Sequence, residues 1–122
     1  VPTFIIFGWQ DQNVSSRAIT VFNLLSGPRK MLLTEDGHGF YIRSTEVKRE
    51  KLRFFDRWLK GDARGVEEKP ITVWYSEKGA VERIPDRVAT YDRLPAEGTR
   101  YTDLFLSSER KISSTPPAGS AS

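Results

Sequence analysis

The chain opens on an apolar segment that ends near a single acidic residue. After Thr3, residues 4–7 are all aromatic or β-branched. This pattern is typical of a strand covered on both faces, as in a parallel sheet. Gly8 then lets the backbone turn before Asp11. The pattern therefore predicts a buried strand that delivers a carboxylate at its carboxyl end.

The next two segments predict a helix and a second strand. Ser15 or Ser16 is a suitable N-cap. The apolar positions that follow recur at helical spacing: Ile19, Val21, Phe22, Leu24 and Leu25. A Gly-Pro pair ends this helix, residues 29–34 predict a strand, and a polar loop then holds His38 between two glycines. Strand, helix and strand in this order predict a right-handed parallel unit.

A longer amphipathic helix is predicted from about Ser44 to Lys60, with Gly61 as its C-cap. Most of its basic residues fall away from the side that carries its apolar positions. Those apolar positions are Val47, Leu52, Phe55, Trp58 and Leu59. We expect the aromatic residues to pack on the sheet and the charged face to be solvated. The basic residues of this helix therefore do not indicate a nucleic-acid surface.

The second half of the chain has the pattern of β structure. Residues 62–69 are polar and predict a linker, and "PITVWY" after them predicts a strand followed by a Lys-Gly turn. The segment "RYTDLFLSS" alternates enough to predict another strand, and the Pro-, Gly- and Ser-rich end predicts a loop or a frayed terminus. We expect Trp74 to pack within this β-rich half.

Length and composition are those of a folded, soluble domain. The chain has 122 residues, and its hydrophobic fraction of 38% is enough to build a core at this length. Its net charge of +3 is a small surplus, so we expect no nucleic-acid partner. No apolar run approaches the roughly 20 residues that span a bilayer, so we expect no membrane segment.

The absence of cysteine removes several kinds of chemistry. Disulfides, thiolate catalysis and Cys-based zinc sites are excluded. Without cysteines, the sequence does not indicate the redox environment or the cellular compartment of the protein. The chain starts at Val1, directly on a predicted buried strand. We therefore expect the natural N-terminus to lie further upstream.

Asp11 and His38 both follow the ends of predicted parallel strands. Loops converge at the carboxyl edge of such sheets, and ligands and catalytic groups sit there. A carboxylate that accepts the imidazole Nδ1–H fixes the tautomer and leaves Nε2 as a base towards a serine hydroxyl. The spacing therefore predicts two members of a catalytic triad.

Other roles for these residues stay open. Asp11 could cap the following helix, and His38 could be an ordinary surface residue. Glu35 and Asp36 could bind a metal with His38, but three adjacent ligands without a second cluster are a poor site, so we predict no metal and no cofactor. Trp9 either lines a substrate pocket beside Asp11 or packs beneath the loop.

The segments "PTFIIFGWQDQNV", "KMLLTEDGHGF" and "FFDRWLKG" resemble the closing section of the α/β-hydrolase fold. Together with "KPITVWYSEKG" and "LPAEGTRYTDLFLSSERKISSTPPAGSAS", they are similar to the X-Pro dipeptidyl-peptidase and cocaine-esterase-like family. The resemblance implies an α/β fold in two parts. Residues 1–61 would be the C-terminal part of the hydrolase domain, 62–69 a linker, and 70–122 the incomplete start of a β jelly roll.

The resemblance also implies a serine peptidase or esterase. Asp11 would orient His38, and His38 would transfer protons during cleavage of a peptide or acyl-ester substrate. No G-x-S-x-G motif occurs in the chain, so the nucleophile would lie upstream, in a missing N-terminal part of the hydrolase domain. We therefore expect the chain alone to be inactive, and its oligomeric state stays open, a homo-oligomer included.

Two alternatives remain at the level of sequence. A prolyl-oligopeptidase-type serine peptidase would share the first 60 or so residues, including "HGF", but not the jelly roll. A non-enzymatic, β-rich binding module would hold Asp11 and His38 apart. Distance discriminates, because a triad needs a separation near about 2.6–3.2 Å.

Overall fold

The computed structural model describes residues 1–11, 13, 15–39, 43–62, 69–76, 85–106 and 110–116, without the side chains of Ser15 and Ser16. The elements follow in the order β1 (Thr3–Gly8), α1 (Ser15–Leu24), β2 (Arg29–Thr34), α2 (Thr45–Lys60), β3 (Ile71–Tyr75), β4 (Arg87–Tyr91), β5 (Phe105–Leu106) and β6 (Ile112–Ser113). The first four elements agree with the segments that the sequence predicts.

One mixed sheet organises most of the described chain. Its strand order is β1-β2-β3-β4, and β5 and β6 form a separate two-stranded sheet. Strands β1, β2 and β3 are parallel, and β4 returns antiparallel to β3. A four-stranded mixed sheet with two helices is an α/β arrangement, and the predicted parallel strand-helix-strand unit is present in it.

The face of the sheet towards α1 carries the larger core. Its buried side chains come from three strands and one helix: Phe7, Ala18, Phe22, Met31, Leu33, Ile71 and Val73. Full burial of a Leu, Met or Phe side chain stabilises a fold by about 1.5–3 kcal/mol each. This cluster therefore fixes α1 against β1, β2 and β3, and with it the start of the loop that follows β1.

The opposite face packs against α2, whose ends the sequence specifies well. The Ser44 hydroxyl accepts a hydrogen bond from the backbone N–H of Val47 at 3.3 Å. At the other end, the N–H of Gly61 donates to the carbonyl of Arg57 at 3.1 Å. Because these caps satisfy backbone groups that a helix end leaves unpaired, α2 begins and ends where the sequence predicts.

The orientation of α2 differs from the prediction. Val47 is its buried residue, and the Phe54 ring lies 5.2 Å from that of Phe4. The other apolar side chains are largely exposed: Leu52 61%, Phe55 52%, Trp58 39% and Leu59 77%. The expectation that the aromatic residues pack on the sheet therefore holds for Phe54 and is wrong for the exposed Phe55 and Trp58. Apolar residues occupy more of the circumference of α2 than a sheet with β1 at its edge can cover.

The sheet continues into the second half of the chain. β3 lies parallel to β2, with Met31 opposite Ile71 and Leu33 opposite Val73. Trp74 packs with Leu32 and Val47 between the sheet and α2, so the expectation that it packs within a separate β-rich half is wrong. The division at 62–69 and the jelly roll after it stay predictions, since most of that linker lies outside the described residues.

Two further strand predictions have different outcomes. The segment around 100–108 contributes only the two-residue strand β5 within the described residues, and the predicted Lys-Gly turn after β3 lies outside them. The sequence does not predict β4, which pairs with all five residues of β3. Among the described helices, neither α1 nor α2 has the length and hydropathy needed to cross a membrane.

Candidate active site

The carboxyl ends of β1 and β2 lie side by side, and the two loops of interest leave from there. Gly8 at the end of β1 is opposite Thr34 at the end of β2. One residue further, the N–H of Trp9 donates to the carbonyl of Thr34 at 2.7 Å. The parallel pairing thus brings the loop with Asp11 and the loop with His38 to the same edge of the sheet.

Asp11 and His38 are in hydrogen-bond contact. His38 Nδ1 lies 2.8 Å from Asp11 Oδ2, within the range of about 2.6–3.2 Å that a triad requires. The Asp11 side chain is 1% exposed, whereas the His38 side chain is 71% exposed. A buried acid thus holds one side of an imidazole whose ring otherwise faces outwards.

The second oxygen of Asp11 is tied to its own loop. Oδ1 accepts a hydrogen bond from the N–H of Asn13 at 3.1 Å, and the N–H of Asp11 donates to the carbonyl of Gly8 at 3.1 Å. This short turn ahead of α1 is one that Asp side chains commonly form. Because Oδ1 and Oδ2 serve different partners, a local structural role and the pairing with His38 are compatible.

The contact selects one tautomer of a neutral His38. An ionised carboxylate only accepts hydrogen bonds, so a neutral ring facing Asp11 donates from Nδ1 and keeps its lone pair on Nε2. The exposure of the ring leaves Nε2 open to a group approaching from outside. The arrangement can therefore remove a proton from such a group and stabilise the imidazolium that results.

The loop that carries His38 packs closely against the end of β1. A Cβ built on Gly8 would overlap the backbone carbonyl of Asp36, so the two backbones touch at that point. Gly39, directly after His38, has a φ of +77°, a conformation that L side chains rarely adopt. The glycines at 8 and 39 thus allow the close approach and the turn that place the histidine.

Glu35 and Asp36 do not form a metal site with His38. Glu35 Oε2 instead accepts a hydrogen bond from the N–H of Ser76 at 2.7 Å. Among the described residues, no group of three or more His, Asp or Glu side chains is placed to hold a metal ion. The sequence offers no signal for the contact between Glu35 and Ser76, because it depends on the register of β2 and β3.

Trp9 combines features of both roles that the sequence leaves open. Its side chain is 41% exposed, and its ring meets the buried Phe7 ring edge-on at a centroid distance of 6.4 Å. The residue stands in the turn between β1 and Asp11. Its part in substrate binding stays a prediction, while its contact with Phe7 anchors one side of the turn.

A pair of tyrosines near the same edge was not predicted. Tyr75, the last residue of β3, has its hydroxyl 3.2 Å from that of Tyr91 on β4, and the Arg87 guanidinium lies 3.7 Å from the centre of the Tyr75 ring. The hydrogen bond to Tyr91, helped by burial, raises the pKa of Tyr75 above its ordinary value of 10.0. The sequence misses this pair because it does not predict β4.

Comparisons with models of protein families, with curated proteins and with solved structures find no match to the chain. The function of the chain is therefore inferred from the Asp11–His38 pair and from the fold that brings the two residues together.

Proposed function

We propose that this chain is the C-terminal part of a serine hydrolase. Asp11 is the orienting acid and His38 is the general base, and the serine comes from a segment upstream of Val1. The observation that carries the proposal is the 2.8 Å contact between His38 Nδ1 and a carboxylate buried at the carboxyl edge of two parallel strands. The acid also precedes the histidine along the chain, as in α/β-hydrolases.

The proposed reaction is acyl transfer through an acyl-enzyme. His38 Nε2 takes the proton of the serine hydroxyl as its oxygen attacks the substrate carbonyl, and Asp11 stabilises the imidazolium. The imidazolium then gives this proton to the leaving amine or alcohol, and the single bond between the carbonyl carbon and that leaving group breaks. Water, activated by the same imidazole, hydrolyses the acyl-enzyme and restores the free serine.

The substrate class follows from the resemblance to X-Pro dipeptidyl-peptidases and cocaine-esterase-like enzymes. The bond cleaved is an amide after proline or an ester, and the rest of the hydrolase domain is the partner that completes the site. In this proposal β1, β2 and their helices form the end of the hydrolase sheet. The jelly roll that the resemblance implies spans residues 70–122, whose first strands, β3 and β4, continue the sheet of β1 and β2.

Two other functions were open at the level of sequence. The non-enzymatic binding module required Asp11 and His38 to stay apart, and their hydrogen bond favours the hydrolase over it. A prolyl-oligopeptidase-type peptidase would use the same pair and the same mechanism. The choice between the two hydrolases therefore depends on whether residues 70–122 belong to a β-sandwich domain.

A fluorophosphonate probe tests the proposal, because it forms a covalent adduct with activated serines. We expect intact-protein mass spectrometry to show one adduct on the longer polypeptide that contains this chain, and none on its His38→Ala variant. Asp36→Asn, which removes a charge from the same loop, is the control and should be labelled normally. No adduct on a well-folded longer polypeptide, or an adduct on the 122-residue chain alone, would contradict the proposal.

A further inference from the structure

The exposed imidazole of His38 depends on its loop for its position. With 71% of the side chain exposed, few side chains surround the ring to hold it. The backbone of residues 35–39 must therefore set the distance from Nδ1 to Asp11. The packing of Gly8 against the carbonyl of Asp36 limits this loop on the β1 side.

On the opposite side, Glu35 connects the loop to β3. Ser76 directly follows β3, and its N–H donates to Glu35 Oε2 at 2.7 Å. The pairing of Leu33 with Val73 accounts for this contact. Two residues further along each strand, Glu35 lies beside Tyr75, the residue before Ser76. The loop is thus fixed between the end of β1 and the end of β3.

We propose that Glu35 is a positioning residue that keeps His38 within reach of Asp11 by fixing the His38 loop to the end of β3. This inference rests on the proposed hydrolase function, and it adds β3 to the elements that build the active site. A displacement of about 1 Å at a catalytic group can cost as much as 10²-fold in rate, so such a contact has a measurable effect.

Two variants of Glu35 separate the reach of the side chain from its charge. Glu35→Gln keeps an acceptor oxygen at the same distance but loses the charge, whereas Glu35→Asp keeps the charge and is one methylene shorter. We expect Glu35→Asp to lower kcat of the complete hydrolase about tenfold with little change in KM. Glu35→Gln should retain most of the activity.

The proton on His38 Nδ1 gives a readout that does not depend on turnover. In the unmodified protein, we expect a slowly exchanging, downfield proton resonance from the hydrogen bond to Asp11. It should broaden or disappear in Glu35→Asp and persist in Glu35→Gln. Asp36→Asn is the matched control, because the Asp36 carboxylate has no partner among the described residues, and the resonance should persist in it too.

Three results would overturn the inference. In the first, a folded Glu35→Asp variant keeps both the resonance and kcat. In the second, Glu35→Gln lowers kcat as much as Glu35→Asp does. The charge of residue 35, rather than the reach of its side chain, would then be the cause of the lower kcat. If Glu35→Asp does not fold, the amide of Ser76 in the unmodified protein decides. Slow hydrogen exchange there supports the contact, and fast exchange overturns it.

A failure of the proposed function would look different. A complete protein that neither turns over an acyl ester nor forms a fluorophosphonate adduct would remove the hydrolase. The sensitivity of the Nδ1 resonance to the length of residue 35 would still support the positioning of His38 by Glu35. Normal turnover in Glu35→Asp would instead remove the positioning role and leave the hydrolase intact.

Discussion

At the scale of single residues, the site combines a buried acid with an exposed base. The Asp11 carboxylate is held in one orientation, because both of its oxygens have hydrogen-bond partners. In the complete protein, if it is the proposed hydrolase, we expect Asp11→Asn to lower kcat by about 10³-fold or more without unfolding the protein, because the amide would select the wrong imidazole tautomer.

His38→Ala should have an effect of similar size, measured as the initial rate of hydrolysis of a small acyl ester. Circular dichroism would show that the fold is intact. A well-folded variant of either residue with near-normal turnover would remove that residue from the catalytic set.

The tyrosine pair gives a second prediction at this scale. The hydrogen bond that the Tyr75 hydroxyl donates to the Tyr91 oxygen raises the pKa of Tyr75, so Tyr91→Phe should move that pKa back towards 10.0. A spectrophotometric pH titration of tyrosinate would measure the change. The exposed Tyr101 supplies a control, because Tyr101→Phe should leave the titration of Tyr75 unchanged.

The raised pKa also sets a direction for stability. The folded state holds the Tyr75 proton more tightly than the unfolded chain, so the free energy of unfolding should fall as pH rises above about 10. The decline in the free energy of unfolding ends once the pH passes the pKa of Tyr75 in the folded state. Tyr91→Phe should show a smaller decline over this window, and an equal decline in both proteins would contradict the assignment.

The sequence predicts the meeting of Asp11 and His38 because each follows a strand of strong apolar pattern. It does not predict the contact of Glu35 with Ser76, nor that of Tyr75 with Tyr91. Those two contacts depend on the register of β3 with its neighbours. Register is set by packing across the sheet, which no local pattern in this chain reports.

At the scale of elements, α2 shows how far a hydrophobic pattern can be read. The caps Ser44 and Gly61 are local signals, so the bounds of the helix are predictable. Its rotation is not, because apolar residues cover a wide arc and the number of strands beneath decides which of them is buried. Strand β4 is missed for a related reason, since RVATY is short and mostly exposed.

Two truncations in α2 test this rotation. Val47 is fully buried and Leu59 is 77% exposed, so Val47→Ala should cost about 2 kcal/mol of stability while Leu59→Ala should cost almost nothing. Resistance of the chain to limited proteolysis, which follows the population of unfolded molecules, would rank the two variants. The reverse order would show that the opposite side of α2 faces the sheet.

At the scale of the whole molecule, β1 is an edge strand of the described sheet with apolar side chains on both of its faces: Phe4 and Ile6 on one, Ile5 and Phe7 on the other. Parallel strands of this kind are usually interior, and open apolar edges favour association. We therefore expect the isolated 122 residues to be poorly stable and to self-associate. Calorimetry combined with light scattering tests this, and a cooperative transition of a monomer would contradict it.

The continuous ladder from β1 to β4 also has a consequence for how the polypeptide can be divided. A cut between Gly61 and Lys69 would break the covalent connection, but it would leave the hydrogen bonds between β2 and β3 and the burial of Trp74 against Leu32. The two pieces would behave as complementary halves of a split protein. We therefore expect the two halves to reassemble through the pairing of β2 with β3 rather than to separate.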